Sequence, residues 1–251
     1  MEPIMKAAAE GAASRLMLPP PFTLVTLGAG ACAHAEACRR AAAEDAAGTL
    51  VFAADGSVIE AALVLAPEEP LALARRVFLI GMGALADALG SHAPPDKPIA
   101  IAWPDTLRFD GARLGGGRLA WPKDCAEEAV PDWLVFSAML IASKRHAGDP
   151  GLTPESTSLE EEGFPREAAC LIVESFAQYV MKGLSVLEED GFARGAERYR
   201  TFLTAPPGER LALTDSGDAL ASSGAGTRLL SLRSALDVAA WLDPATGAPR
   251  L

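Results

Sequence analysis

The residues best equipped for chemistry lie together in one stretch, Ile99–Pro122, which reads IAIAWPDTLRFDGARLGGGRLAWP. Arg113 and Arg118 stand on either side of Gly115-Gly116-Gly117. A guanidinium group binds carboxylates and phosphates through paired N–H donors. Successive glycines leave the backbone bare, which a strand tolerates where a ligand or another backbone must come close. Together they describe a floor for an anionic ligand, although an ordinary glycine-rich hairpin with surface arginines would carry the same residues. Asp105 and Thr106 add oxygens able to meet a metal ion or a ribose. Strand alternation puts Arg113 and Arg118 on opposite faces unless the glycines form a bulge.

Three short strands must position these groups. Ile99–Trp103 is an apolar run that Pro104, lacking an N–H, brings to a stop. Thr106–Phe109 is the second strand, and Asp110-Gly111 is a two-residue hairpin turn. Ala112–Trp121 returns as the third. Trp103 is expected to be buried where the first strand meets the site.

This stretch resembles the core motif of the biotin/lipoate protein ligases, which runs Lys-Trp-Pro-Asn-Asp, an Asp-Gly hairpin, then Lys-hydrophobic-Ala-Gly. Trp103-Pro104 matches the Trp-Pro, Asp105 falls at the Asn and Thr106 at the Asp. Asp110-Gly111 matches the turn, and Arg113-Leu114-Gly115-Gly116 matches the final block. Ala102 and Arg113 stand where the family has its two lysines. The second of those lysines lies against the ligand carboxylate and the adenylate phosphate, so the resemblance implies that role for Arg113. It implies substrate contacts for Trp103, Pro104, Asp105, Thr106, Gly115, Gly116, Gly117 and Arg118.

The resemblance covers roughly Val51–Leu203. Thr157-Ser158-Leu159, the acidic Glu160–Glu162 and Gly163 also fit it, the acidic residues being read as a solvated helix face. Two features of the standard family are missing. The connection Ala53–Ser57 replaces a long arginine-rich loop that folds over the ligand, and Phe136-Ser137-Ala138-Met139 replaces a Gly-x-Gly-x-Asn strand end. Atypical family members share the Trp-Pro-Asp and Gly-Gly-Gly-Arg-Leu variants.

Composition sets the outer bounds. The chain has 251 residues, half of them hydrophobic, and a net charge of −11. That charge disfavours nucleic acid and anionic membrane surfaces as partners. No run approaches twenty apolar residues, so no membrane-spanning helix is expected. Glu2 and Glu10 argue against a signal peptide. Cys32, Cys38, Cys125 and Cys170 form no Cys-x-x-Cys and no zinc spacing with histidine, so no metal site is assigned. Free thiols in the cytoplasm are the simplest reading, with Cys125 the exposed one and His146 the histidine nearest the site.

The elements along the chain predict an α+β fold: a mixed or antiparallel sheet, helices packed mainly on one face, and a small C-terminal β-rich unit. Residues 1–21 are expected to be disordered, 22–204 to form the ligase-like domain and 205–251 the small C-terminal domain. The resemblance implies a two-step reaction using ATP and Mg²⁺. A biotin, lipoate or related carboxylate becomes an acyl-adenylate and is then passed to the lysine of a biotinyl or lipoyl carrier protein. The alternative is a non-catalytic member of the fold that binds a ligand or a carrier domain. A third reading, acyl transfer from a thioester, needs an exposed cysteine beside the hairpin.

Overall fold

Alternating residues of the second strand divide between two apolar layers, and that division organises the molecule. Leu50 and Phe52 enter the larger core, while Val51 and Ala53 enter a smaller one on the opposite side. In the computed structural model, which describes residues 16–251, the strands form one eight-stranded mixed sheet.

The strands are β1 (Thr23–Thr26), β2 (Thr49–Ala54), β3 (Val58–Leu65), β4 (Ile99–Ala102), β5 (Thr106–Phe109), β6 (Ala112–Ala120), β7 (Leu134–Ile141) and β8 (Leu203–Thr204). Their order is β1-β2-β3-β7-β6-β5-β4-β8. Pairing is antiparallel except at the two margins, where β1 joins β2 and β8 joins β4 in parallel. The apolar run Leu134–Ile141 is buried along its whole length, as a strand covered on both faces must be.

Helices α2 (Leu71–Ala74), α3 (Val77–Gly90), α4 (Ala168–Asp190), α5 (Phe192–Gly195) and α6 (Glu197–Phe202) follow in chain order. The long pair, α3 and α4, helps build the larger core, where Phe136 stacks on Phe176 at 5.6 Å and tilts against Phe78 at 5.8 Å. A Cβ at Gly81 would lie 2.5 Å from the Phe136 ring, so only glycine lets α3 sit this close to the sheet. By length and composition alone α4 could cross a membrane. Its Ile172, Val173, Phe176, Ala177 and Val180 are buried in the core, and most of the rest of the helix is half-buried or exposed.

The other face carries α1 (Ala33–Ala43), whose Ala33 and Ala37 pack on Val51, Ala62, Val64 and Val135. After β8 the chain forms a separate antiparallel sheet, β9 (Arg210–Leu213), β10 (Ala219–Ser223) and β11 (Gly226–Leu230), and a short helix α7 (Leu232–Leu236). Residues 240–250 then return to the α1 face of the main sheet.

Residues 1–15 of the segment expected to be disordered lie outside the described residues. From Leu16 the chain is placed: that side chain is buried in the larger core, and the Met17 N–H donates to Glu174 at 2.7 Å. Glu160–Glu162 form turns rather than a helix face. Glu160 accepts from Ser143 at 2.6 Å, Glu162 accepts from Thr157 at 2.6 Å, and Glu161 lies 3.4 Å from the buried Lys144 ammonium. The acidic run therefore ties the end of the sheet to the loop beyond β7.

Candidate functional site

The hairpin forms as its turn chemistry requires. Asp110 (φ 51°) and Gly111 (φ 84°) both take the positive φ of a two-residue turn joining β5 to β6. A bulge follows. Leu107 pairs with Gly115, yet Arg108 pairs with Arg113, which leaves Leu114 as the extra residue. Thr106 pairs with Gly116, so Arg113, Gly116 and Arg118 all share the α1 face.

That face is occupied by the protein itself. The Trp241 side chain is wholly buried, and its indole would lie 2.3 Å from a Cβ at Gly116. Its Nε1–H donates to the Gly117 carbonyl at 2.9 Å. The Ala240 N–H donates to the Asp105 carboxylate at 2.8 Å, and the Arg113 guanidinium donates to the Arg250 carbonyl at 3.0 Å. The glycines therefore admit groups of this chain. A Cβ at Gly117 would meet Met82 at 2.5 Å, and one at Gly115 would meet the Met139 carbonyl at 2.0 Å. As described, the expected open floor for an anion is closed, because a tryptophan fills the space that the missing side chains leave.

The remaining predicted residues divide by environment. Asp105 and Thr106 are buried and bonded to each other through the Thr106 hydroxyl at 2.9 Å. Burial pushes the Asp105 carboxyl up to about 6, against the N–H of Ala240 and the Thr106 hydroxyl, which pull it down. Pro104 is buried, and its carbonyl accepts from the buried Tyr199 hydroxyl at 3.0 Å. Trp103 is half-buried rather than buried, packed on the larger core at the end of β4. Arg118 does not face solvent alone. Its guanidinium donates to the buried carboxylate of Glu60 at 2.7 Å.

Around that pair stands a cluster that the sequence reading missed. Glu60 also accepts the Ala33 N–H at 2.6 Å, at the start of α1. Cys32 caps α1, its Sγ accepting the Ala35 N–H at 3.4 Å, and lies 3.7 Å from Arg118. It is the exposed cysteine, whereas Cys125 is half-buried. His34, not His146, is the histidine of this face: its Nδ1 lies 2.6 Å from the Ser137 hydroxyl and its Nε2 is 3.7 Å from Cys38. His146 sits in an exposed turn. Burial first, and then Arg118, hold His34 down to about 3, and burial pushes Cys38 up to about 11. His34 and Cys38 are thus a neutral pair at pH 7, unsuited to act as base and thiolate. The signal that could have found this cluster was the i,i+4 spacing of His34 and Cys38, which places both on one face of a helix.

An open cleft of about 250 Å³ lies beside the cluster. Gly30–Cys32, Ala53 and Ala54 at the end of β2, Asp55 just after it, Val58, Glu60 and Met139, and Thr246–Ala248 line it. A second cleft of about 360 Å³, between β8 and β9, brings together Arg200, three leucines and two alanines without a chemical cluster. Among the described residues no three His, Cys, Asp or Glu side chains gather as a metal-binding group. The arrangement does not fit an adenylate: Arg118 is held by Glu60, Arg113 by a main-chain carbonyl, and Trp241 lies on the strand between them.

Comparison with known proteins agrees with this architecture. The family model for the biotin/lipoate A/B protein ligase family matches residues 18–201. The chain therefore belongs to the biotin/lipoate A/B protein ligase family. A biotin protein ligase-like protein of unknown function from Silicibacter sp. TM1040 is 30% identical, with a TM-score of 0.77 over 88% of this chain and 99% of that one. Biotin protein ligase from Aquifex aeolicus shares the fold at 16% identity, with a TM-score of 0.63 over 85% and 96% of the two chains. The Aquifex enzyme is also known in complex with biotin and ATP, and that structure matches with a TM-score of 0.61 at 16% identity over 83% and 96%. A search of curated proteins finds no match.

Proposed function

We propose that this chain binds a biotin-, lipoyl- or other acyl-type carboxylate on the α1 face of its sheet, and that in the form described it holds that group rather than activating it with ATP. The observation that carries this reading is the engagement of both arginines. Stabilising a transferring phosphoryl group needs cations directed at the developing charge, and here Arg118 neutralises Glu60 while Arg113 holds the Arg250 carbonyl. The cleft offers mostly small apolar walls, which suit an acyl chain. A biotinyl or lipoyl carrier domain is the partner this reading implies, and the cytoplasm, with its reduced thiols, the compartment. The test is a thermal-shift and calorimetric panel of ATP, biotin, lipoate and octanoate. Binding of a carboxylate without ATP is expected, and carboxylate-dependent release of pyrophosphate from ATP would overturn the reading.

One observation favours a second reading, acyl transfer from a thioester. Cys32 is exposed, lines the cleft and sits at the N-terminus of α1, its sulfur 3.7 Å from the Arg118 guanidinium and 3.8 Å from the Glu60 carboxylate. Its sulfur would attack the thioester carbonyl and expel the carrier thiolate. A lysine amine would then take the acyl group and return the thiol. Intact-mass measurement after incubation with an octanoyl thioester decides it: an adduct lost in Cys32→Ser supports this route, and no adduct excludes it.

A further inference from the structure

The ends of the returning segment are fixed on residues that the family motif assigns to ligand. We propose that residues 240–250 are a displaceable occupant of the acyl site, competing with the carboxylate ligand for the strand at Gly116 and for Arg113; this rests on the reading that the α1 face takes such a ligand.

Three features support it. First, the contacts are concentrated at two points. Trp241 is buried on Gly116 with its indole N–H on Gly117, and Pro249 is buried nearby, whereas Pro244–Ala248 are exposed. A segment with so few buried groups opens locally at far less cost than the sheet beneath it. Second, the segment is closed on itself and can leave as a unit. Leu242 bridges Pro249, the Asp243 N–H donates to the Ala248 carbonyl at 2.8 Å, and Arg250 donates to the carbonyls of Trp241 and Leu242 at 2.8 and 3.0 Å. Third, its polar attachments to the site imitate a ligand. Arg113, at the position of the family's carboxylate-facing lysine, is given a main-chain carbonyl as acceptor, and Asp105 takes the Ala240 N–H.

Its far side forms one wall of the cleft, through Thr246–Ala248. A ligand entering along Cys32 and Met139 would therefore meet Trp241 before reaching Gly116. When the segment lifts, Arg113 is released and the strand at Gly116 is uncovered, joining the cleft to the hairpin. Ligand binding then bears the cost of opening, and apparent affinity falls by the fraction of molecules that are open.

The test compares the full chain, Trp241→Leu, and a chain ending at Ala239. Circular dichroism checks that each is folded. Titration with biotin, lipoate and octanoate should give dissociation constants at least tenfold lower in the shortened chain, and lower by a smaller factor in Trp241→Leu, which keeps an apolar side chain should the shortened chain fail to fold. A synthetic peptide of residues 238–251 should restore weak binding to the shortened chain. Hydrogen exchange on the full chain without ligand should show residues 240–250 exchanging together, faster than β6 and β7. Equal affinity in the full and altered chains overturns the competition and leaves the acyl-binding reading standing. Binding of none of the three acids by any form overturns both. Exchange of residues 240–250 only on global unfolding makes the segment a fixed part of the fold and overturns the proposal by itself.

Discussion

At Asp105 a buried carboxyl meets an N–H from 135 residues away, and its ionisation is linked to the stability of the fold. Its value is raised from the ordinary 3.8 to about 6, chiefly by burial. A raised carboxyl means that the folded state favours the proton. The stabilisation is complete below pH 3.8 and is lost as pH climbs through 6. The shift corresponds to at most about 3 kcal/mol. Asp105→Asn keeps an acceptor for the Ala240 N–H and removes the titration. His34, held down to about 3, makes both proteins gain stability toward pH 6.5, so the readout is their difference: in urea melts between pH 4 and 7.5 the parent should lose stability relative to the variant as pH rises; parallel curves would reject the assignment. The Arg118–Glu60 pair makes the opposite kind of statement. Arg118→Met strands a carboxylate on which only the Ala33 N–H and, at 3.8 Å, the Cys32 thiol remain. The loss should be about 2–4 kcal/mol, at the low side of the range for breaking buried pairs. Adding Glu60→Gln keeps an acceptor for that N–H and removes the stranded charge. The double variant should be more stable than Arg118→Met alone, and a double-mutant cycle measures the difference.

Among the elements, β6 shows how far a sequence can be read and where the reading stops. Its hairpin partner, its turn and its three glycines were legible because each follows from local chemistry: a proline stop, two positive φ values, missing side chains. What fills the glycine gap was not legible, because the occupant, Trp241, comes from 125 residues further along the chain. A bulge formed by the glycines was the stated condition for uniting the two arginines; the bulge present falls at Leu114, just before them, and brings Arg113 onto the face of Arg118. Cys32 and His34 escaped notice because the alanines of α1 mark a helix, while what its N-terminal turn faces, Glu60 and Ser137, lies on strands 28 and 103 residues away. A Cβ at position 116 would lie 2.2 Å from the Asp105 carbonyl oxygen and 2.3 Å from the indole. The backbone cannot yield as a flexible side chain would, so Gly116→Ala should cost about 1–3 kcal/mol as an overpacking change. A melting temperature equal to the parent's would mean that Trp241 does not rest on this strand.

For the molecule as a whole, the family resemblance conveyed the sheet and the order of its elements, but it could not convey how unequal the two faces are. On the side of α3 and α4, Phe78 and Phe176 meet Phe136, and Leu63, Leu79 and Met82 are fully buried. On the α1 side Trp241 is the one large fully buried side chain among the described residues, and the cluster beneath α1 is made of alanine and valine. Hydrophobic stabilisation scales with the apolar area withdrawn from water, so the first face supports the fold, and the second can accommodate Glu60, His34, Ser137 and a cleft. Adjacent positions on β7 test that division, since Val135 and Phe136 point to opposite faces. Phe136→Ala empties the centre of the larger core and should cost about 3–5 kcal/mol. Val135→Ala deletes two methyl groups from the thinner layer, and at about 0.8 kcal/mol for each buried carbon, with some addition for the space left, should cost about 1.5–2.5 kcal/mol. Denaturant melts of both variants give the comparison. A Val135→Ala loss equal to or greater than that of Phe136→Ala would show that the α1 face supports the fold as strongly as the other, and that the polar groups on it are integral to the core rather than free to serve a ligand.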